Sequence, residues 1–152
     1  MLIALLDRRP KALALHTTAA RARHRPIVIG PVVAQVWRDS RRTTHELGTL
    51  LQECTVIQAR GAQPAMRDIP ASAATVQCIP CAAGFTLHDY KRVGQILGKA
   101  TLPAKKRPDV VDAMVVTIGA LHHRAVICTS DPEDLGAYAA TLKAAELTIS
   151  RF

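Results

Sequence analysis

The sequence predicts an α/β domain with a mostly parallel sheet. Short apolar runs rich in β-branched residues, bounded by proline or glycine, alternate with longer stretches that have helical spacing. The chain has 152 residues, 49% of them apolar, so we expect one domain with a sizeable core over residues 1–152. No apolar run is long enough to span a membrane, and the apolar start meets Asp7 too early for a secretory signal. We therefore expect a cytoplasmic protein with no membrane contact.

The first part of the chain alternates helical and strand patterns. Pro10 suits the first turn of a helix, and Pro31 restarts one after a β-branched run that ends at Gly30. Leu47, Leu50 and Leu51 then recur at helical spacing. The predicted elements are, in order, a helix over 11–23, a strand over 26–30, a helix over 31–38, a helix over 44–53 and a strand over 54–57.

Residues 58–84 have no sustained periodicity. They contain several prolines and glycines, and a structureless stretch of this length is unusual inside a compact domain. We interpret the segment as an irregular insert. Cys78 and Cys81 within it have the spacing of a zinc or redox pair, but without a second pair two incidental thiols are the better interpretation.

The last part of the chain has the clearest pattern. Thr86 is a candidate N-cap, and Pro108 and Pro132 each stand where a helix begins. The predicted elements are a helix from 86 to 97, a basic linker over 98–107, a helix from 108 to about 122, a strand over 125–129, a helix from 132 and a strand over 147–149.

Charge is unevenly divided along the chain. Residues 1–108 have a formal charge of +11 and residues 109–152 a charge of −3, which together give +8. A basic body could bind a polyanion, and an acidic end could hold a cation beside that polyanion. The alternative interpretation is that these charges form an ordinary protein surface.

The acidic end contains a candidate cation site. Asp131 follows a predicted strand, and ligands of parallel sheets bind at the carboxyl ends of strands. Asp109 and Asp112 share a helix face, and Asp134 begins the next helix. Converging carboxylates favour Mg²⁺ or Mn²⁺, which suits phosphodiester hydrolysis. Capping is the alternative role for Asp109, and a favourable helix-dipole interaction is the alternative for Asp134. Neither explains Asp112, which interrupts an apolar helix.

Two segments resemble a known family. Asp112 and Ala113 on an apolar helix, followed by residues 126–135, resemble the C-terminal half of a PIN domain, and residues 27–38 are similar to its second motif region. The resemblance implies a three-layer α/β/α fold and a Mg²⁺- or Mn²⁺-dependent ribonuclease, often the toxin of a toxin–antitoxin pair. It also implies RNA as substrate, and an antitoxin protein and a second copy of the chain as possible partners.

The resemblance assigns roles to individual residues. Asp112 matches the third acid of the family and Asp131 the fourth, and both would be catalytic metal ligands. Gln35 stands where the family has its second acid, so it offers a neutral amide oxygen in place of a charge. Asp134 would be a further carboxylate ligand. The accessory residues implied are Asp109, Thr129 and Ser130, and those expected to contact RNA are Arg38, Lys105, Lys106 and Arg107.

The first acid of the family has no counterpart. It should end a strand that precedes the opening Leu-Ile-Ala-Leu-Leu run, and Asp7 comes after that run. We expect the first strand to be missing, through an internal start, a truncation or a misassigned start codon. The expectation is therefore a PIN-like ribonuclease with an incomplete site, inactive or weakly active. The alternative is a catalytically inactive PIN-like protein that binds RNA or a protein partner; a small DNA-binding module ranks last, since no DNA-binding motif is present.

Overall fold

A computed structural model of the chain describes residues 1–21, 25–37, 41–57, 84–122, 124–142 and 146–152. The chain divides into two compact units, an N-terminal unit (Met1–Gly84) and a C-terminal unit (Phe85–Phe152). Of the insert predicted over residues 58–84, only Gly84 is described, so Cys78 and Cys81 lie outside the described residues.

The N-terminal unit is built from short helices around a pair of strands. Its elements are α1 (Leu2–Leu6), α2 (Pro10–Arg21), β1 (Ile27–Ile29), α3 (Gly30–Val36), α4 (Arg41–Gln52) and β2 (Thr55–Ile57). Strands β1 and β2 are parallel, with Ile27 opposite Thr55 and Ile29 opposite Ile57. The chain leaves β1 directly into α3, because Pro31 fixes a helical φ in the first turn.

The core of the N-terminal unit is formed by apolar side chains from α1, β1, α3 and α4 and from Cys54, just before β2. Leu47 on α4 is fully buried, which agrees with its place in the helical Leu spacing of the sequence. Burial of one such side chain contributes about 1.5–3 kcal/mol. The buried cluster comprises Leu2, Val28, Val36, Leu47 and Cys54.

The C-terminal unit contains the second pair of strands. Its elements are α5 (Leu87–Lys99), α6 (Val110–Leu121), β3 (Arg124–Thr129), α7 (Pro132–Ala139) and β4 (Glu146–Arg151). Strands β3 and β4 are parallel over six residues, with Ile127 opposite Ile149, and α7 connects them along the chain. Helix α5 packs against α6, which in turn packs against α7, β3 and β4.

Helix α5 begins with a complete set of start signals. The Thr86 amide donates to Asp89 Oδ2 at 2.8 Å, and the Asp89 amide donates to Thr86 Oγ1 at 3.3 Å, which forms a capping box. Phe85 and Tyr90 pack on either side of the cap with ring centroids 5.6 Å apart, as in a hydrophobic staple. The predicted cap at Thr86 is therefore confirmed.

Helix α6 approaches strands β3 and β4 closely at Gly119. A Cβ added at Gly119 would lie 3.1 Å from Leu147 Cδ2 and 3.3 Å from Ile127 Cδ1. The absence of a side chain lets the helix approach both strands. The apolar face of α6 is correspondingly buried, with Val116 and Thr117 fully enclosed. The Thr117 hydroxyl donates to Ala113 O at 2.8 Å, so its polar atom has a partner.

The predicted α/β class is confirmed at the level of mixed helices and parallel strands. In the described residues the strands form two separate parallel pairs. The predicted helices and strands outside the insert are present, and the ends that fall on described residues lie within three residues of the prediction, α4 starting at Arg41 and α5 ending at Lys99. In the described part of the chain no helix has both the length and the apolar character needed to cross a membrane.

Candidate acidic site

Four aspartates of the C-terminal unit stand where its elements begin or end. Asp131 follows β3 and is the N-cap of α7, and Asp134 lies in the first turn of that helix. Asp109 is the N-cap of α6, and Asp112 lies in its first turn. We call these four residues the acidic site. Negative charge at a helix N-terminus is favoured by the backbone dipoles, so both helices supply a suitable field for it.

Asp109 is held by two hydrogen-bonding systems. Its Oδ1 accepts from the Val111 amide at 2.7 Å and from the Asp112 amide at 3.4 Å, so the capping role is confirmed. Its own amide donates to the hydroxyl of Tyr138 on α7 at 2.8 Å. Tyr138 is buried, so this bond fixes the start of α6 against the inner side of α7.

Asp112 is the acid whose ionisation is most strongly disfavoured. Burial raises its pKa, and the charges of Asp109, Asp134 and Asp131 raise it further, to about 6. The nearby ammonium of Lys106 acts in the opposite direction but does not cancel these effects. The folded chain therefore concentrates carboxylates around a half-buried acid, an arrangement that disfavours ionisation and is typical of functional sites.

Lys106 supplies the positive charge of the acidic site. Its Nζ contacts Asp131 Oδ2 and lies 3.0 Å from Asp134 Oδ2, so one ammonium bridges both carboxylates. The hydrogen bond from Lys106 lowers the pKa of Asp131, and the two carboxylates raise the pKa of Lys106. The side chains of Lys106 and Asp131 are 40% and 49% exposed, whereas that of Asp134 is 13% exposed.

The second oxygen of Asp134 has no partner among the residues that the structure describes. Asp134 Oδ1 is buried, and it has no hydrogen bond among the described residues. A buried carboxylate oxygen without a donor or a cation is unfavourable, so this atom could accept a further ligand. On the other side of Asp131, the Thr129 hydroxyl oxygen accepts from the Asp131 amide at 3.0 Å, which holds the turn from β3 to α7.

The donor chemistry of the acidic site fits a hard cation, since it consists of carboxylate oxygens and includes the unpaired Asp134 Oδ1. These side chains are not arranged as the ligands of a metal centre. Among the residues that the structure describes, no three His, Cys, Asp or Glu side chains are grouped as metal ligands. Lys106 instead lies between Asp131 and Asp134.

The remaining predicted residues are distributed over both units. Gln35 is exposed on α3 of the N-terminal unit, and Arg38 lies outside the described residues. Ser130 is exposed beside Asp131, and Lys105 and Arg107 are exposed in the turn that carries Lys106. The structure thus brings together the four aspartates and Lys106.

Two features of the site were missed by sequence reasoning. Tyr138 was not singled out, although it follows Asp134 by four residues and so shares its helix face. The resemblance gives Lys106 a role with RNA only, although a basic run directly before an acidic segment also allows an ion pair within the chain.

Comparison with known proteins gave no matching family model, no matching curated protein and no matching solved structure. The function must therefore be inferred from the chemistry of the acidic site.

Proposed function

We propose that the chain is a PIN-like ribonuclease with an incomplete acidic site, which hydrolyses phosphodiester bonds of RNA with Mg²⁺ or Mn²⁺. The observation that carries the proposal is the placement of Asp109 and Asp112 at the start of α6 and of Asp131 and Asp134 at the start of α7. Burial and the other three aspartates raise the pKa of Asp112 to about 6. Four carboxylates close to the starts of α6 and α7 repel one another, which lowers the stability of the fold unless a positive charge lies among them. Such a loss of stability is characteristic of functional sites. We extend the proposal to the three-layer α/β/α PIN fold that the sequence resemblance implies.

The proposed metal ligands are Asp112, Asp131 and Asp134 of the C-terminal unit. The sequence resemblance puts Gln35 in the position of the family's second acid, for which it would offer a neutral amide oxygen. A bound divalent cation would lower the pKa of a water molecule and offset negative charge on the phosphate. The accessory role proposed for Thr129 and Ser130 is to bond a ligand oxygen at the end of β3.

The residues of the chain itself have two tasks in this proposal. The carboxylates would hold the cation, and in the metal-free chain burial and the neighbouring aspartates raise the pKa of Asp112 to about 6. Basic side chains hold the RNA backbone through its phosphates, which fixes position without reading sequence. Those proposed are Arg38, Lys105, Lys106 and Arg107.

The resemblance also suggests a cellular role. We infer a toxin of toxin–antitoxin type in the cytoplasm, with an antitoxin protein as partner and a homodimer as its assembly. The formal charge of +8 supports an anionic partner, whether RNA or an acidic protein segment.

A catalytically inactive PIN-like protein that binds RNA or a protein is the second candidate. Two observations favour it. Lys106 already pairs with Asp131 and Asp134, and the uncharged Gln35 stands where the family pattern has an acid. A protein that only binds would need no divalent cation at these carboxylates.

The test is cleavage of a fluorescent RNA by the purified chain with Mg²⁺, with Mn²⁺ and with a chelator. Because the acidic site is incomplete, we expect weak metal-dependent cleavage, which Asp131→Ala and Asp112→Asn abolish. Glu133→Gln is the matched control, because it removes an exposed acid from the same turn of α7 without entering the acidic site. RNA binding without cleavage would favour the second candidate, and cleavage that survives Asp131→Ala would reject the proposed site.

A further inference from the structure

Trp37 is a large aromatic side chain that the fold leaves about half exposed. Helix α3 packs Val32, Val33 and Val36 against the core of the N-terminal unit. Trp37 follows directly at the C-cap of this helix, and it is 47% exposed. A tryptophan buries a large apolar area when it packs, so an indole left open to solvent is an unused contact surface.

The backbone that carries this indole is fixed by the helix. The Trp37 amide donates to Val33 O at 2.8 Å, which closes the last turn of α3. Ala34 precedes Trp37 by three residues on the same side of the helix, and its small side chain is exposed. Because only two side-chain torsions of Trp37 remain free, holding its ring against a flat ligand costs little conformational entropy.

The N-terminal unit that contains Trp37 is strongly basic. Residues 1–84 contain eleven basic and five acidic side chains, which gives a formal charge of +6, and ten of the eleven are arginine. Arg38, Arg41 and Arg42 follow Trp37 within five residues in the sequence. Arginine binds phosphate, and every nucleotide of an RNA strand carries one, so the charge of this unit is complementary to RNA.

An exposed aromatic ring in a basic unit is the combination with which proteins bind single-stranded nucleic acid. The bases of a single strand are unpaired and stack on aromatic rings, while basic groups hold the phosphates. Trp37 is the only aromatic residue in residues 1–84. A base that this unit binds by aromatic stacking must therefore lie on Trp37.

We propose that Trp37 is the platform on which one base of a single-stranded RNA stacks, while the basic N-terminal unit binds the neighbouring phosphates. The inference rests on the proposed function for RNA as the ligand. Trp37 is a binding residue in this proposal and takes no part in cleavage. Every base has a flat aromatic face, so this contact contributes affinity without sequence specificity.

The chain contains a single tryptophan, so its intrinsic fluorescence reports on Trp37 alone. The unaltered chain is titrated in the presence of a chelator with a single-stranded oligoadenylate of about ten nucleotides. Inorganic polyphosphate is the control ligand, because it has the charge of RNA without the bases. We expect saturable quenching by oligoadenylate and none by polyphosphate. Equal quenching by both ligands, or oligoadenylate that binds by fluorescence anisotropy without changing the emission of Trp37, would overturn the proposal.

Alanine variants separate stacking from a general loss of exposed apolar surface. Trp37→Ala should bind labelled oligoadenylate about tenfold more weakly, as expected for loss of one base–aromatic stack. Trp37→Phe keeps an aromatic ring and should retain most of the affinity. Leu13→Ala is the matched control, because Leu13 is 42% exposed on α2 of the same unit, and its loss should not weaken binding. Equal affinity of Trp37→Ala and Leu13→Ala would contradict the stacking role.

The outcomes also distinguish this proposal from the nuclease. Binding that depends on Trp37, with no cleavage by any variant in Mg²⁺ or Mn²⁺, supports stacking and rejects the nuclease. Metal-dependent cleavage together with unaltered RNA affinity of Trp37→Ala overturns stacking and leaves the nuclease intact. An emission that changes with protein concentration in the absence of RNA would assign the indole to a contact between copies of the chain, and would also overturn stacking.

Discussion

The amide of Asp109 donates a 2.8 Å hydrogen bond to the hydroxyl of Tyr138, a side chain that is 1% exposed. The bond joins the N-cap of α6 to the buried side of α7. Since Asp112 lies in the first turn of α6 and Asp134 in the first turn of α7, it also sets the distance between acids of the two helices. Tyr138 is thus a positioning residue of the acidic site.

Removal of this hydroxyl should weaken the C-terminal unit. Tyr138→Phe leaves the Asp109 amide without its partner, and an unpaired buried donor costs about 1–3 kcal/mol. We expect the free energy of unfolding in urea to fall by that amount. Tyr90→Phe is the control, because Tyr90 is 43% exposed and packs through its ring. If both variants lose the same stability, the hydrogen bond to Asp109 has no special role.

Asp112 should make the free energy of unfolding fall as pH rises, the opposite of the usual effect of a carboxylate. The unfolded chain releases this proton near pH 3.8, whereas burial and the neighbouring acids raise the folded pKa to about 6. Folding therefore takes up a proton between these values, and stability falls as pH rises through the window. Asp112→Asn should be more stable than the unaltered chain above pH 6, by about 1–2 kcal/mol once solvent screening of the half-exposed group is allowed for.

The measurement is urea unfolding of both proteins from pH 3.5 to 8 in the presence of a chelator. The difference should shrink steadily as pH falls from 6 towards 3.8, because Asp112 becomes protonated in the folded chain and then begins to be protonated in the unfolded chain as well. Glu133→Gln removes an exposed acid on α7 and should show no such pH-dependent gain. A constant difference at every pH would contradict a raised pKa at Asp112. Under the proposed function, the more stable Asp112→Asn variant is also the inactive one.

The sequence predicts local structure well where the effect of a residue depends only on its near neighbours in the chain. Pro31 and Pro132 mark the first turns of α3 and α7, and Thr86 marks the cap of α5, because each effect depends on neighbours within four residues. The carboxylates around Asp112 were likewise expected from parallel strands. The bridge from Lys106 to Asp131 spans 25 residues, and nothing in the local pattern specifies that pairing.

The cap of α5 should respond to loss of one hydroxyl. Thr86 Oγ1 donates to Asp89 Oδ2 at 2.7 Å and accepts from the Asp89 amide at 3.3 Å. Thr86→Ala removes both bonds, and loss of such a cap costs about 1 kcal/mol. We expect that loss in urea unfolding at pH 7. Thr86→Ser keeps the hydroxyl and should retain most of the stability.

The same cap should weaken in acid. Burial acts to raise the pKa of Asp89, but hydrogen bonds from the Thr86 side chain and backbone outweigh it, so the folded pKa lies below 3.8. The stabilisation is present above the unfolded value and is lost as pH falls through the folded one. The gap between the unaltered chain and Asp89→Asn should therefore narrow below pH 4. A gap that does not change with pH would show that the Asp89 charge does not support the cap.

Gly119 should tolerate a side chain poorly, because α6 rests on the sheet at that position. A Cβ there would already lie 3.1 Å from Leu147 Cδ2, and the branches of valine would press further into Ile127. Gly119→Val should lower the free energy of unfolding by about 1–3 kcal/mol, as overpacking of a core does.

Gly94 on α5 provides the matched comparison, since an added Cβ would meet no atom within 4 Å. Valine has a somewhat better helix propensity than glycine, so Gly94→Val should leave stability unchanged or raise it by a few tenths of a kcal/mol. Both variants are measured by urea unfolding under the same conditions. Equal changes in stability would mean that contact with β3 and β4 contributes nothing to the effect, and that the close approach of α6 to these strands does not require glycine at 119.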